Sequence, residues 1–209
     1  MFLCWRRSVR PWNRGEVIIL IEIEGQPSKP DVLHGAAAFL VPGLDGNPTA
    51  RVLRRTQERG VKTCLNTAWD PEGRWMELLE PCLPPLDYFI PSLQEARMLS
   101  GEKAVADMAA VFLDRGGDTI VIKVVDKGCY ATNGEQEFFK ETYEVETVTS
   151  TLGAGDAFAA GFLAGIVRGR KLDGACQMGN AAGASCVEGT GCESIRPLEE
   201  TLQRYRLDG

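Results

Sequence analysis

The chain has a single histidine, His34, and none of its seven cysteines stands in a C-x-x-C spacing. That spacing does not favour a zinc site. An odd number of scattered thiols suits reduced cysteines in a cytoplasmic protein better than a disulfide framework. His34 has no acidic or sulfur ligands patterned around it and reads as a structural residue. No Walker-type Gly-x-x-x-x-Gly-Lys-Ser/Thr loop occurs, which removes the P-loop nucleotidases. Basic blocks are also lacking. The net charge of −6 argues against a nucleic-acid partner, whose phosphates call for a basic face. The apolar run Val17 to Ile21 is followed by Glu22 and Glu24 and falls far short of a membrane span. Residues 1–14 carry arginines and tryptophans without a continuous apolar core, so no secretory leader is expected and the segment stays unassigned.

What is present is an alternation of β-branched runs with helical patterns over residues 15–209, long enough for one domain with a full core. Val17 to Ile23 and Asp31 to Leu40 read as strands. A helix opens at Asn47-Pro48, by the cap-then-proline signal, and ends at Gly60. Val61 to Asn66 is a strand, Asp70-Pro71 repeats the helix start, and Leu86 to Ile90 is the next strand. A helix from Lys103 to Arg115 stops at Gly116-Gly117, and Thr119 to Val124 follows as a strand. Asn133-Gly134 marks a tight hairpin between Cys129 to Thr132 and Glu135 to Phe139. Helices then run over Ala154–Arg168, Leu172–Val187 and Pro197–Arg206, the first two dense in alanine and glycine for close packing. Such an order implies a doubly wound α/β sheet with helices on both faces and ligands at the carboxyl ends of its strands.

The remaining chain is organised around Thr149-Ser150-Thr151-Leu152-Gly153-Ala154-Gly155-Asp156, which leads into Ala157-Phe158-Ala159-Ala160-Gly161-Phe162. A glycine turn opening a helix is a ready anion site, because the first-turn N–H groups lack intrahelical partners and carry the positive end of the dipole. Asp156 would repel a phosphate merely bound there. It makes sense as a general base that takes the proton of an attacking hydroxyl beside a transferring phosphoryl group. The other reading is an acidic residue that only complements the helix dipole, worth about 0.5 to 1 kcal/mol.

The Gly-Ala-Gly-Asp turn with its Ala-Phe-Ala-Ala-Gly-Phe continuation, and Gly179-Asn180-Ala181-Ala182-Gly183-Ala184 downstream, resemble the signature of the ribokinase (PfkB) family of carbohydrate and nucleoside kinases. The resemblance implies an ATP-dependent phosphotransferase with Asp156 as base and Gly153, Ala154 and Gly155 in the anion hole. It implies ATP and Mg²⁺ as cofactors and a sugar or nucleoside as substrate. Pro91-Ser92-Leu93-Gln94-Glu95-Ala96 is similar to the family's Pro-Asn-x-x-Glu-Ala, which places Glu95 near Mg²⁺ through water and Ser92 near the nucleotide phosphates. Ser-x-x-Glu is equally a capping box that needs no ligand. Lys123, Asp126 and Gly128 fall where the family lines the nucleotide. Asn180 falls on the adenine side, where an exposed polar position is the other reading, and Gly191 in a turn near the same pocket. Ser150 stands where an aspartate is typical near a monovalent cation, K⁺.

The resemblance maps to the later part of a family member. The family's opening strands, its Gly-Gly sugar segment and most of its β lid are not found, so a partial, N-terminally truncated ribokinase-like domain is expected. Uncovered sheet would favour a homo-oligomer. Asn66, Ser92, Val125 and Ser150 all depart from the pattern on the ligand side. The alternative is therefore a non-catalytic remnant that binds nucleotide or a partner chain. A dinucleotide oxidoreductase fits poorly, because its glycine turn belongs early and has a third glycine.

Overall fold

The computed structural model describes residues 19–20, 37–38, 46–58, 60, 62–67, 75–190, 196 and 198–207. The 1–14 segment, His34, the Asp70-Pro71 helix start, Gly191 and most of the first two expected strands lie outside them.

In chain order the elements are β1 (Ile19–Leu20), β2 (Ala37–Ala38), α1 (Gly46–Gln57), β3 (Cys64–Leu65), α2 (Trp75–Leu79), β4 (Tyr88–Phe89), α3 (Leu93–Ser100), α4 (Val105–Asp114), β5 (Thr119–Lys123), β6 (Gly128–Thr132), β7 (Glu137–Glu141), α5 (Ala154–Val167), α6 (Leu172–Val187) and α7 (Leu198–Arg204). Strands β1 and β2 pair in parallel. The larger sheet has the order β3-β4-β5-β6-β7, parallel as far as β5 and antiparallel beyond it. The change of sense follows from the connections. Helices return the chain to the same end of the sheet between β3, β4 and β5, whereas β5 and β6 are joined by the short turn Val125–Lys127 and β6 and β7 by the hairpin whose Gly134 takes a φ of +85°.

Side-chain alternation along the strands sorts the core into two layers. Leu65, Phe89, Ile120, Ile122 and Tyr130 pack toward one face with Leu53, Leu79 and Phe112. Cys64, Ile90, Val121, Cys129 and Ala131 pack toward the other with Phe158 and Phe162 of α5 and Cys176 of α6. Helices α5 and α6 lie close enough that a Cβ on Gly161 would fall 2.5 Å from the Met178 carbonyl oxygen, and one on Gly165 would fall 2.8 Å from Ala175 Cα. The glycines expected for close packing thus have that role. Asp87 binds the starts of β3 and β4 together: its carboxylate accepts from Thr63 N at 2.7 Å, Thr63 Oγ1 at 2.8 Å and Lys62 Nζ at 2.5 Å. The result brings the carboxyl ends of β3, β4 and β5 beside the first turn of α5.

Candidate active site

Three strand ends supply the polar groups. Beyond β3 come Asn66 and Thr67, each only 7 % exposed. Beyond β4 comes Ser92, which makes a parallel bridge with Lys123, the last residue of β5. Lys123 N donates to Pro91 O at 2.9 Å, which holds these two ends in register.

Helix α3 starts with the capping box that its sequence promised. Glu95 N donates to Ser92 Oγ at 3.2 Å, and Ser92 N donates to Glu95 Oε2 at 2.7 Å. The same Oε2 also accepts from Thr67 Oγ1 at 2.9 Å. Glu95 Oε1 takes no hydrogen bond from the described residues, so the cap leaves one oxygen for a ligand. Among the described residues no three His, Cys, Asp or Glu side chains gather as a metal cage. A lone carboxylate oxygen fits an ion that keeps water and phosphate oxygens as most of its ligands, as Mg²⁺ does.

The first turn of α5 begins at Gly153, whose φ of +83° only glycine adopts without cost, and no side chain caps this end. Ala154 N is taken up by Thr151 O at 3.2 Å. The amides of Gly155 and Asp156 meet no acceptor among the described residues and remain available to an anion. Asp156 is exposed, and its Oδ1 accepts from Asn66 Nδ2 at 3.1 Å. The other end of that amide, Asn66 Oδ1, accepts from Lys123 Nζ. An ammonium can only donate and a carboxylate can only accept, so the two partners fix which way the Asn66 amide points. Gly155 makes room for the lysine: a Cβ there would lie 3.3 Å from Lys123 Nζ.

Lys123 keeps some exposure as a residue, but its ammonium end is enclosed. Burial lowers its pKa below the usual lysine range, and the nearby charges of Glu95 and Asp156 partly offset that fall. Asp156, Glu95 and Lys123 thus form one charged cluster beside the free amides.

The other expected site residues lie around this cluster in varied roles. Gly128 has φ +118°, and a Cβ there would fall 2.0 Å from Lys140 O, so packing against β7 alone demands glycine. Asp126 is exposed on the short 3₁₀ turn Val125–Lys127. Val125 in that turn has a φ of +44°, rare for a branched side chain, and that side chain is 80 % exposed. Asn180 is buried, not exposed, and its Nδ2 donates to Lys140 O at 3.1 Å and Glu141 O at 3.0 Å, tying α6 to β7. Ser150 Oγ accepts from Leu152 N at 3.2 Å and so closes a local turn ahead of α5. Sequence reasoning treated Asn66 only as a departure and passed over Thr67. The available signal was their place directly after a short buried strand of a parallel sheet.

The chain matches the pfkB family carbohydrate kinase pattern over residues 18–199. It is 33 % identical over 137 residues to 2-dehydro-3-deoxygluconokinase of Bacillus subtilis (strain 168), covering 66 % of this chain and 42 % of that protein. Ribokinase from Thermotoga maritima superposes with a TM-score of 0.71 at 22 % identity, over 86 % of this chain and 61 % of that one. A putative ribokinase II from E. coli, in complex with ATP and Mg²⁺, gives a TM-score of 0.71 at 21 % identity, over 85 % and 61 %. The chain spans about half the length of the curated relatives it matches, from 42 % to 66 %. Among the described residues no helix is long and apolar enough to cross a membrane. With its mixed sheet covered on both faces and its family pattern running over nearly the whole sequence, this chain belongs to the pfkB family of carbohydrate kinases.

Proposed function

We propose that this chain transfers the γ-phosphoryl group of ATP to a hydroxyl of a sugar or nucleoside, with Asp156 as general base. The observation that carries this reading is the single hydrogen bond on the Asp156 carboxylate: Asn66 occupies Oδ1, and Oδ2 is left open beside the free amides of Gly155 and Asp156. A carboxylate that merely served the helix end would have no need of a buried amide from another strand to orient it.

In the reaction, Asp156 Oδ2 takes the acceptor's proton as its oxygen attacks the γ-phosphorus, and the bond to the departing ADP oxygen breaks. The amides of Gly155 and Asp156 donate to the phosphoryl oxygens where charge gathers, and Lys123 adds a fixed positive charge near them. Glu95 would hold Mg²⁺ through its free Oε1, directly or by water. When bound, that ion neutralises charge on the phosphate oxygens. ATP with Mg²⁺ accompanies the E. coli relative, and the named relatives act on sugar acids or ribose, which supports the substrate class.

Asp156→Asn keeps the shape of the side chain and removes the base. Turnover is expected to fall by ~10² to 10⁴-fold while the affinity for Mg-ADP, read by calorimetry, stays within a few fold. Ordinary turnover by Asp156→Asn would refute the assignment.

A further inference from the structure

We propose that Asn66 and Thr67 are paired positioning residues that set the base and the metal-side carboxylate in register, a role that rests on the kinase reading above. They are consecutive, and in extended chain consecutive side chains leave on opposite faces. The alternation in β3 continues into them. Cys64 packs toward the α5 and α6 layer, and two residues on Asn66 reaches Asp156 of α5 on that same side. Leu65 packs toward the opposite layer, and two residues on Thr67 reaches Glu95 of α3 there. One strand end thus touches two carboxylates on two helices that belong to different layers.

Each contact engages one oxygen and leaves the other. Asn66 Nδ2 holds Asp156 Oδ1 and leaves Oδ2 for an acceptor; Thr67 Oγ1 holds Glu95 Oε2 and leaves Oε1 for a metal ion. Lys123 fixes the Asn66 amide from behind, and Ser92 N shares Glu95 Oε2 with Thr67. Asn66 and Thr67 are both nearly closed to water, so the two donors are held in place by their surroundings and each presents its hydrogen bond in one direction. A displacement of about 1 Å at such a site costs on the order of 10²-fold in rate, which gives the clamp its functional weight.

Two substitutions that preserve volume test it separately. Asn66→Leu should lower kcat by ~10²-fold with the KM for ATP within a few fold, and should shift the ¹³C carboxyl resonance of Asp156. Thr67→Val should weaken the Mg²⁺ dependence of ADP binding by ~10-fold in calorimetry while metal-free ADP binding stays unchanged, and Thr67→Ser should restore it. If Asn66→Leu does not fold, Asn66→Ser, too short to span from Lys123 to Asp156, gives the same readouts. An unmoved Asp156 resonance, an unchanged Mg²⁺ dependence in Thr67→Val, or an equal loss of metal-free ADP binding would overturn the proposal. A wild-type chain that phosphorylates no acceptor would defeat the kinase reading instead, and the resonance and the Mg²⁺ titration would still decide the clamp.

Discussion

Lys123 shows how a buried charge at the site enters the stability of the fold. Its pKa is lowered, chiefly by burial, so the folded chain holds that proton less readily than the unfolded chain. The group therefore destabilises the fold while charged in both states. Between its folded pKa and the ordinary lysine value near ~10.4, the unfolded chain binds the extra proton and stability rises with pH. Measured by denaturation, the stability of wild type relative to Lys123→Met should climb through that window, and a flat difference would contradict the assignment. Val125 offers a second residue-scale test. A β-branched residue at φ +44° bears strain of about 1 to 2 kcal/mol, and its exposed side chain gives little packing in return. Val125→Gly should stabilise the fold by about 1 kcal/mol in urea denaturation, net of the extra entropy of glycine; a less stable variant would contradict the strain. At this scale the sequence was uneven in what it told. Asp156 stood out because a carboxylate in a glycine turn conflicts with a plain anion site. Asn66 and Thr67 did not, since their role lies in contacts with residues 90 and 28 positions away that no local pattern encodes. Asn180 could be read as exposed or as a ligand, and only the approach of β7 reveals the two carbonyls that claim its amide.

Among elements, the helix pair α5 and α6 carries the site's precision. The glycines and alanines bring the two axes together, with Gly161 against the Met178 carbonyl and Gly179 against the Phe158 ring. Gly161→Ala inserts a methyl 2.5 Å from that carbonyl and 2.6 Å from Ala182 Cβ, so the helices must separate. Overpacking of this kind costs about 1 to 3 kcal/mol, against which alanine's better helix propensity recovers up to about 1. The unfolding midpoint should drop, and turnover with it, because α5 bears Asp156; an unperturbed midpoint would show that the helices have slack. Element type was legible from periodicity and caps: the capping box of α3 and the Asn133-Gly134 hairpin occur where the residues placed them. Ends were less so. The expected strand Leu86 to Ile90 narrows to Tyr88–Phe89, because ladder pairing with β3 and β5, rather than apolar character, decides where a strand stops. Helix α4 likewise spans Val105–Asp114 within the expected Lys103 to Arg115, as the cap positions do not share the helical backbone.

For the whole molecule, the expected two-faced α/β sheet is present, and its antiparallel half follows from the short connections on either side of β6, of which the sequence signalled the Asn133-Gly134 hairpin. That architecture brings a carboxylate from one helix start, Asp156, a carboxylate from a second, Glu95, and an ammonium from a strand end, Lys123, to the carboxyl ends of the sheet's parallel strands. No single segment contains the site, which is why the sequence indicated its chemistry more readily than its supporting contacts. The account stands on phosphoryl transfer to a hydroxyl acceptor by these groups. The most direct measurement is ADP release by the purified chain with Mg-ATP across a panel of sugars, sugar acids and nucleosides, run beside Asp156→Asn. The account predicts release that depends on the acceptor and disappears in the variant. Nucleotide binding with no acceptor-dependent release from wild type would contradict it.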